Sequence, residues 1–329
     1  MRSRKLTPSS QFAASTQVYP SVRRAAGAIA PAALCVASLV SVLVLSGCGK
    51  PASDSVEVAP GVTFHRDAKQ GVQLLDIDLT VAQLRPVVVA AHVENRHGNF
   101  VGDAKTVREW ASERGAIGGI NGGFFGDTYD QVGRRKQIVQ LAVVDGKVIA
   151  PGSSLISGSS STGERYTRSA VGFMANGTPE MVWGSGTAKT GPRRRSGPNS
   201  PEAPQPWRVE QAVACGPRLF TGGIRRLTHR EERLNSPGKL ARAFIAFDHE
   251  NGVPRHLILG RADAMEFSHV ADFLATYFPD THGTTPREAM CLDGGPSAQI
   301  VYRDPTSGTL ADAEPTGVQV PTAILLVPR

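Results

Sequence analysis

Two glycine-rich segments, Asn121-Gly122-Gly123-Phe124-Phe125 and Leu292-Asp293-Gly294-Gly295, constrain what this chain can fold into more than any other feature. Each follows an apolar run, Ala116-Ile117-Gly118-Gly119-Ile120 in the first case and Ala289-Met290-Cys291-Leu292 in the second. The pattern predicts a strand that ends in a polar residue and enters a turn clear of side chains. Paired glycines let backbone approach a ligand closely and leave N–H groups for an anion. A polar side chain at such a strand end is well placed for chemistry.

The N-terminal region reads differently. Arg2, Arg4, Lys5, Arg23 and Arg24 are basic, no acid precedes Asp54, and an apolar stretch runs from about Ala25 to Leu45. It ends in Leu45-Ser46-Gly47-Cys48, which resembles a bacterial lipoprotein processing site. Residues 1–47 therefore read as an export signal, Cys48 as the lipidated residue, 48–60 as a tether and 61–329 as one folded domain. The expected location is outside the cytoplasm, held to the cell envelope by the lipid; a retained membrane anchor is the alternative. The leader holds five of the positive charges, so the formal charge of +7 falls to about +2 for the rest. That near-neutral remainder argues against nucleic acid as a partner. Arg134-Arg135-Lys136 and Arg193-Arg194-Arg195 read as solvated loops. Beyond Cys48 only Cys215 and Cys291 remain. In an exported protein they suit either a disulfide or two buried thiols.

Strands are expected over Val72–Leu79, Arg85–Val93, Ile138–Ile149 with a turn at Asp145-Gly146, and Ser169–Met174. Others are expected on both sides of Asn251-Gly252 and over Gln319–Val327. Apolar residues at helical spacing predict helices over Asp103–Arg114 and Ser268–Phe278. The Gly, Pro, Ser and Arg content of 184–206 predicts an exposed loop. These elements imply an α+β fold, a single domain built on a mixed β-sheet with a few flanking helices.

The motifs occur in a fixed order. The first segment is followed by Val144-Asp145-Gly146-Lys147 and by Gly216-Pro217-Arg218-Leu219-Phe220-Thr221-Gly222-Gly223. Ala241-Arg242-Ala243 and Leu292-Asp293-Gly294-Gly295-Pro296-Ser297 complete the set. From about residue 90 onward this set resembles the phosphodiester glycosidase family. The resemblance implies hydrolysis of a bond between a sugar's anomeric carbon and phosphate, in envelope or extracellular glycans. Such chemistry needs a carboxylate near the anomeric carbon and donors for the phosphate charge. Asp293 is the candidate carboxylate and Arg242, with its planar fork, the candidate phosphate ligand. Asn121 is a candidate for a sugar hydroxyl or the phosphate. Gly122, Gly123, Gly294 and Gly295 are candidate N–H donors, Ser297 a candidate substrate contact and Asp127 a candidate second carboxylate. Each has a structural counterpart: Asp and Asn before Gly form turns, and an Arg among acids forms ion pairs. Pro296 departs from the family's usual third glycine and lacks an N–H, and Ala243 stands where a hydroxyl residue is common. Both departures bear on substrate identity more than on fold.

Other chemistries have little support. No close His pair or His-Glu-x-x-His is present, so no cofactor or metal is expected, with a divalent ion held by scattered acids left open. No P-loop and no Gly-x-Ser-x-Gly occur. Two function classes remain: a tethered hydrolase of sugar-1-phosphodiesters, and a non-catalytic lipoprotein of the same fold that binds anionic glycan.

Overall fold

The structure is a computed structural model and describes residues 54–96, 99–127, 134–151, 167–234 and 238–329. All of them belong to one compact unit, Gly49–Arg329. The expected α+β class is corrected. Among the described residues strands dominate, only two α-helices occur, and every paired strand is antiparallel rather than mixed.

Among the described residues four sheets carry the fold, with eight, seven, five and four strands. The eight-stranded sheet is buried on both faces. Along strand Leu240–Phe247, Ala243, Ile245 and Phe247 enter one apolar cluster while Phe244 and Ala246 enter another. That double burial explains why its strands read as apolar runs without clear alternation. Helix α2 (Phe267–His282) covers the second face with Phe267, Val270, Phe273, Leu274 and Phe278, and stops at Gly283 in the left-handed conformation. Helix α1 (Val107–Glu113) lies on the five-stranded sheet. Thr106 and Glu109 form a capping box at its start, and Val107, Trp110 and Ala111 join the core. Helix α1 falls within its predicted segment, and α2 begins one residue before and ends four residues after its own; the fold class failed because conspicuous helical periodicity outweighed many short strands.

Two further expectations change. Residues 184–206 are not a plain loop: strands Pro179–Thr187 and Gly191–Arg195 pair as a hairpin, extended by Gln205–Pro206. Here ladder bonds override local composition, and Gly186, at φ +135°, lets the Gly191 carbonyl come close. Residues 54–59, read as tether, form a strand at the edge of the eight-stranded sheet. Cys48 lies outside the described residues. No described helix is long and apolar enough to cross a membrane.

Candidate active site

The two glycine-rich motifs meet at a junction of sheets. Strand Gly118–Asn121 lies in the five-stranded sheet, between Ile300–Arg303 and Thr322–Pro328. Strand Glu288–Cys291 lies in the eight-stranded sheet, between Leu240–Phe247 and Arg218–Thr221. The sheets are tied where these strands end. The Asp293 N–H donates to the Gly122 carbonyl at 3.1 Å, and Asn121 Nδ2 donates to the Asp293 carbonyl at 2.8 Å. Asn121 Oδ1 accepts the Gln299 N–H at 3.0 Å. The Asn121 side chain is fully buried and joins one motif to the backbone of the other. A buried amide with its partners met fixes a unique arrangement, and removing it leaves backbone groups unmet at about 1–3 kcal/mol each.

The first glycine pair is packed as tightly as backbone allows. A Cβ on Gly123 would lie 2.2 Å from the Ala214 carbonyl oxygen, on a strand of the seven-stranded sheet. The Gly122 N–H donates to the Thr322 carbonyl at 2.8 Å and the Gly123 N–H to Thr322 Oγ1 at 3.1 Å. Both N–H groups are thus engaged within the protein. Phe124 packs against the main core and Phe125 against the α1 cluster. The Asp127 side chain lies outside the described residues.

Asp293 is half-buried. Its Oδ1 accepts the Gly294 N–H at 3.0 Å, and the Ser297 hydroxyl, buried beside it, donates to the same carboxylate. Burial pushes this carboxyl up to about 7, and the bonds from Ser297 and Gly294 offset only part of that rise. Gly295 begins a single 3-10 turn at φ +61° with open space where a Cβ would be. Pro296 is exposed in that turn.

Arg242 stands on the neighbouring strand, beside a bulge in its pairing with His256–Met265. Only 5% of its surface is exposed, and its guanidinium stacks on the Phe267 ring with a Cζ-to-centroid distance of 4.0 Å. Nε donates to the Met265 carbonyl at 2.9 Å and Nη2 to the Gly238 carbonyl at 2.7 Å. Nη1 is left without an acceptor among the described residues, 3.8 Å from where a Gly294 Cβ would sit. Burial lowers the Arg242 pKa. The junction therefore places one arm of a guanidinium beside the Gly294 turn, next in sequence to a carboxyl that burial pushes up to about 7.

The two cysteines are free and buried. Cys215 faces the main core and Cys291 the opposite side of the eight-stranded sheet. Burial pushes Cys291 up to about 12, with Arg242 opposing, so it is a neutral thiol. No cluster of three or more metal-ligating side chains occurs among the described residues.

Sequence reasoning missed two polar assemblies. One joins Asp76, Tyr277, His282, His256, Asp248 and Thr284. Tyr277 and His282 both reach Asp76 Oδ2, and His256 Nδ1 lies 2.7 Å from Asp248 Oδ2. The two histidine rings stack 3.7 Å apart. The other gathers Glu232, which accepts from the Ser169 backbone and hydroxyl, the Thr228 hydroxyl and the Arg218 N–H. Their members lie on segments far apart in the chain, so no local spacing marks them.

An antiparallel β architecture thus brings a carboxyl, a buried arginine and two glycine turns to one sheet junction. A phosphodiester glycosidase family model matches residues 114–327, and the chain belongs to that family. No curated protein matches it in sequence. In fold it is similar to a hypothetical protein from Synechocystis, at TM-score 0.56 and 14% identity, over 85% of this chain and 64% of that one. The chain thus spans less than two thirds of that relative. It is also similar to a protein from Burkholderia pseudomallei described as exported, at TM-score 0.51 and 13% identity, over 81% of this chain and 74% of the other. The catalytic domain of zebrafish N-acetylglucosamine-1-phosphodiester alpha-N-acetylglucosaminidase, auto-inhibited by its pro-peptide, aligns at TM-score 0.47 and 16% identity over 86% of each chain.

Proposed function

We propose that this protein is a hydrolase that cleaves the bond between an anomeric carbon and phosphate in sugar-1-phosphodiesters of envelope or extracellular glycans. Family membership supports the reaction class. The observation that carries the reading is the Asp293 carboxyl, pushed up to about 7 at the point where Asn121 ties the two motifs together. In its ionised form Asp293 takes a proton from water as the water oxygen bonds to the anomeric carbon. The bond from that carbon to the bridging oxygen breaks, and a phosphate monoester leaves with the electron pair. This leaving group is weakly basic, so a strong general acid is dispensable. The free Nη1 of Arg242 holds a phosphate oxygen and balances the diester charge. Asn121 acts by positioning, because its side chain is spent on the Asp293 and Gln299 backbone. The N-terminal sequence supports export and a lipid on Cys48.

The test is incubation of the protein and its Asp293→Asn variant with the methyl phosphodiester of N-acetylglucosamine 1-phosphate and with UDP-N-acetylglucosamine, reading free sugar. Release that disappears in the variant supports the reading. Folded protein that releases no sugar from either compound, or a variant as active as the parent, overturns it for these substrates.

A further inference from the structure

A cavity of about 380 Å³ lies apart from Asp293 and is lined in part by Trp183, Arg194, Arg195, Ser196, Glu202 and Arg218. It sits between the hairpin of the seven-stranded sheet and the Arg218–Thr221 strand of the eight-stranded sheet. Arg218 is its unusual member. It is 3% exposed, and Nη1 donates to Glu288 Oε2 at 3.1 Å. Nε and Nη2 are sealed from solvent with no acceptor among the described residues. A buried charged donor left unmet is costly, so such groups in folded proteins call for an explanation. The Trp183 ring covers this guanidinium, with Cζ 4.8 Å from its centroid. Arg195, opposite Trp183 in the hairpin, gives Nη1 to the Ser200 and Glu202 carbonyls and keeps Nε buried without an acceptor. The remaining charges leave one carboxylate, Glu202, over. Arg194 pairs with Glu180 at 2.8 Å, and the Glu202 carboxylate accepts the Ser196 hydroxyl at 3.0 Å.

We propose that this cavity is a second anion site that takes a phosphate group, with Arg218 and Arg195 as its guanidinium ligands and Trp183 as its cover. Planar forks with unmet donors suit the several acceptor oxygens of phosphate better than any neutral ligand. Rotation of the Trp183 ring exposes Nε and Nη2 of Arg218 to the incoming oxygens. The volume admits free phosphate or the phosphorylated end of a sugar, and both bring the same chemistry. The inference is independent of whether Asp293 performs hydrolysis.

The test titrates the full chain with inorganic phosphate and, separately, with N-acetylglucosamine 6-phosphate, reading calorimetric heat and tryptophan fluorescence. Of the three tryptophans, Trp183 reports on the cavity. The expected result is saturable binding with a fluorescence change that Trp183→Phe abolishes. Arg195→Gln and Arg218→Lys should weaken that response at least tenfold, and Arg242→Lys should leave it in place. Arg195 is half-buried, so Arg195→Gln decides the matter even where Arg218→Lys fails to fold. Tighter binding of the phosphosugar identifies a phosphorylated glycan as occupant, and equal or tighter binding of inorganic phosphate identifies the free ion. The proposal is overturned by absence of binding for both probes. A fluorescence response that survives Arg195→Gln and is lost in Arg242→Lys also overturns it.

Discussion

Asp248 and Asp293 both follow a strand of the same sheet, and their surroundings treat them in opposite ways. Asp248 is wholly buried, which by itself would raise its carboxyl. Yet Oδ1 accepts the His256 N–H at 2.7 Å, while Oδ2 meets His256 Nδ1 and the Thr284 hydroxyl, each at 2.7 Å. These donors outweigh burial and the pKa falls below the usual carboxylate value. Asp293 keeps some surface exposure, yet desolvation dominates its shift, and it receives only the adjacent Gly294 N–H and the Ser297 hydroxyl. No cation contributes to its shift, although Arg242 lies one strand away, and the carboxyl rises to about 7. The difference separates a carboxylate that its donors hold ionised from one that burial favours protonated.

The sharpest way to break this contrast is to neutralise each acid in turn. Asp293→Asn should reduce sugar release at least 10³-fold, about 4 kcal/mol of transition-state stabilisation, while the protein stays folded by circular dichroism. Asp248→Ala should do the reverse. It strands the His256 and Thr284 donors and should cost about 3 kcal/mol in urea unfolding, with turnover per folded molecule retained. A fall in that turnover as large as for Asp293→Asn would erase the distinction.

Arg242→Lys comes next in size. Lysine has no planar fork to reach the Met265 and Gly238 carbonyls while presenting a free arm. We expect about 1–3 kcal/mol less substrate binding, read as a higher KM with a smaller change in kcat. Opposite pH dependences should follow from the two acids. The raised carboxyl of Asp293 binds its proton more tightly folded than unfolded. Its contribution to stability is therefore full below pH 3.8 and declines as pH rises to about 7, by at most about 1.4 kcal/mol per unit. Asp293→Asn should flatten that decline in unfolding titrations. The lowered carboxyl of Asp248 contributes above pH 3.8 and loses its contribution as acid titrates the folded form. The smallest effect is expected of Ser297→Ala. Loss of a hydroxyl that favours the ionised carboxylate should move the rising limb of the pH–rate profile upward by about half a unit to one unit.

Much of the local structure was legible in the sequence. Turn residues such as Asn251-Gly252 marked hairpins, and helical spacing marked α1 and α2 within a few residues of their ends. The ordered glycine motifs pointed to the family that the model match shows. The fold class was not legible, because strands buried on both faces lose their alternation while amphipathic helices keep their period. Arg193–Arg195 read as loop because composition describes a segment alone, and a strand exists only through its neighbour.

The candidate site divides along the same line. By itself the sequence determined which residue types stand at the strand ends, since strand, turn and glycine chemistry act between near neighbours. It named Asp293, Arg242 and Asn121 as candidates without ranking Asn121 as ligand or turn former. Only the tertiary structure decided that Asn121 spends its amide on the Asp293 backbone, and that Arg242 keeps one arm free. It also decided that the donors to Asp293, unlike those to Asp248, do not outweigh its burial. The reason is physical: burial and hydrogen-bond partners come from segments remote in the chain, and these set what a carboxyl or a guanidinium can do.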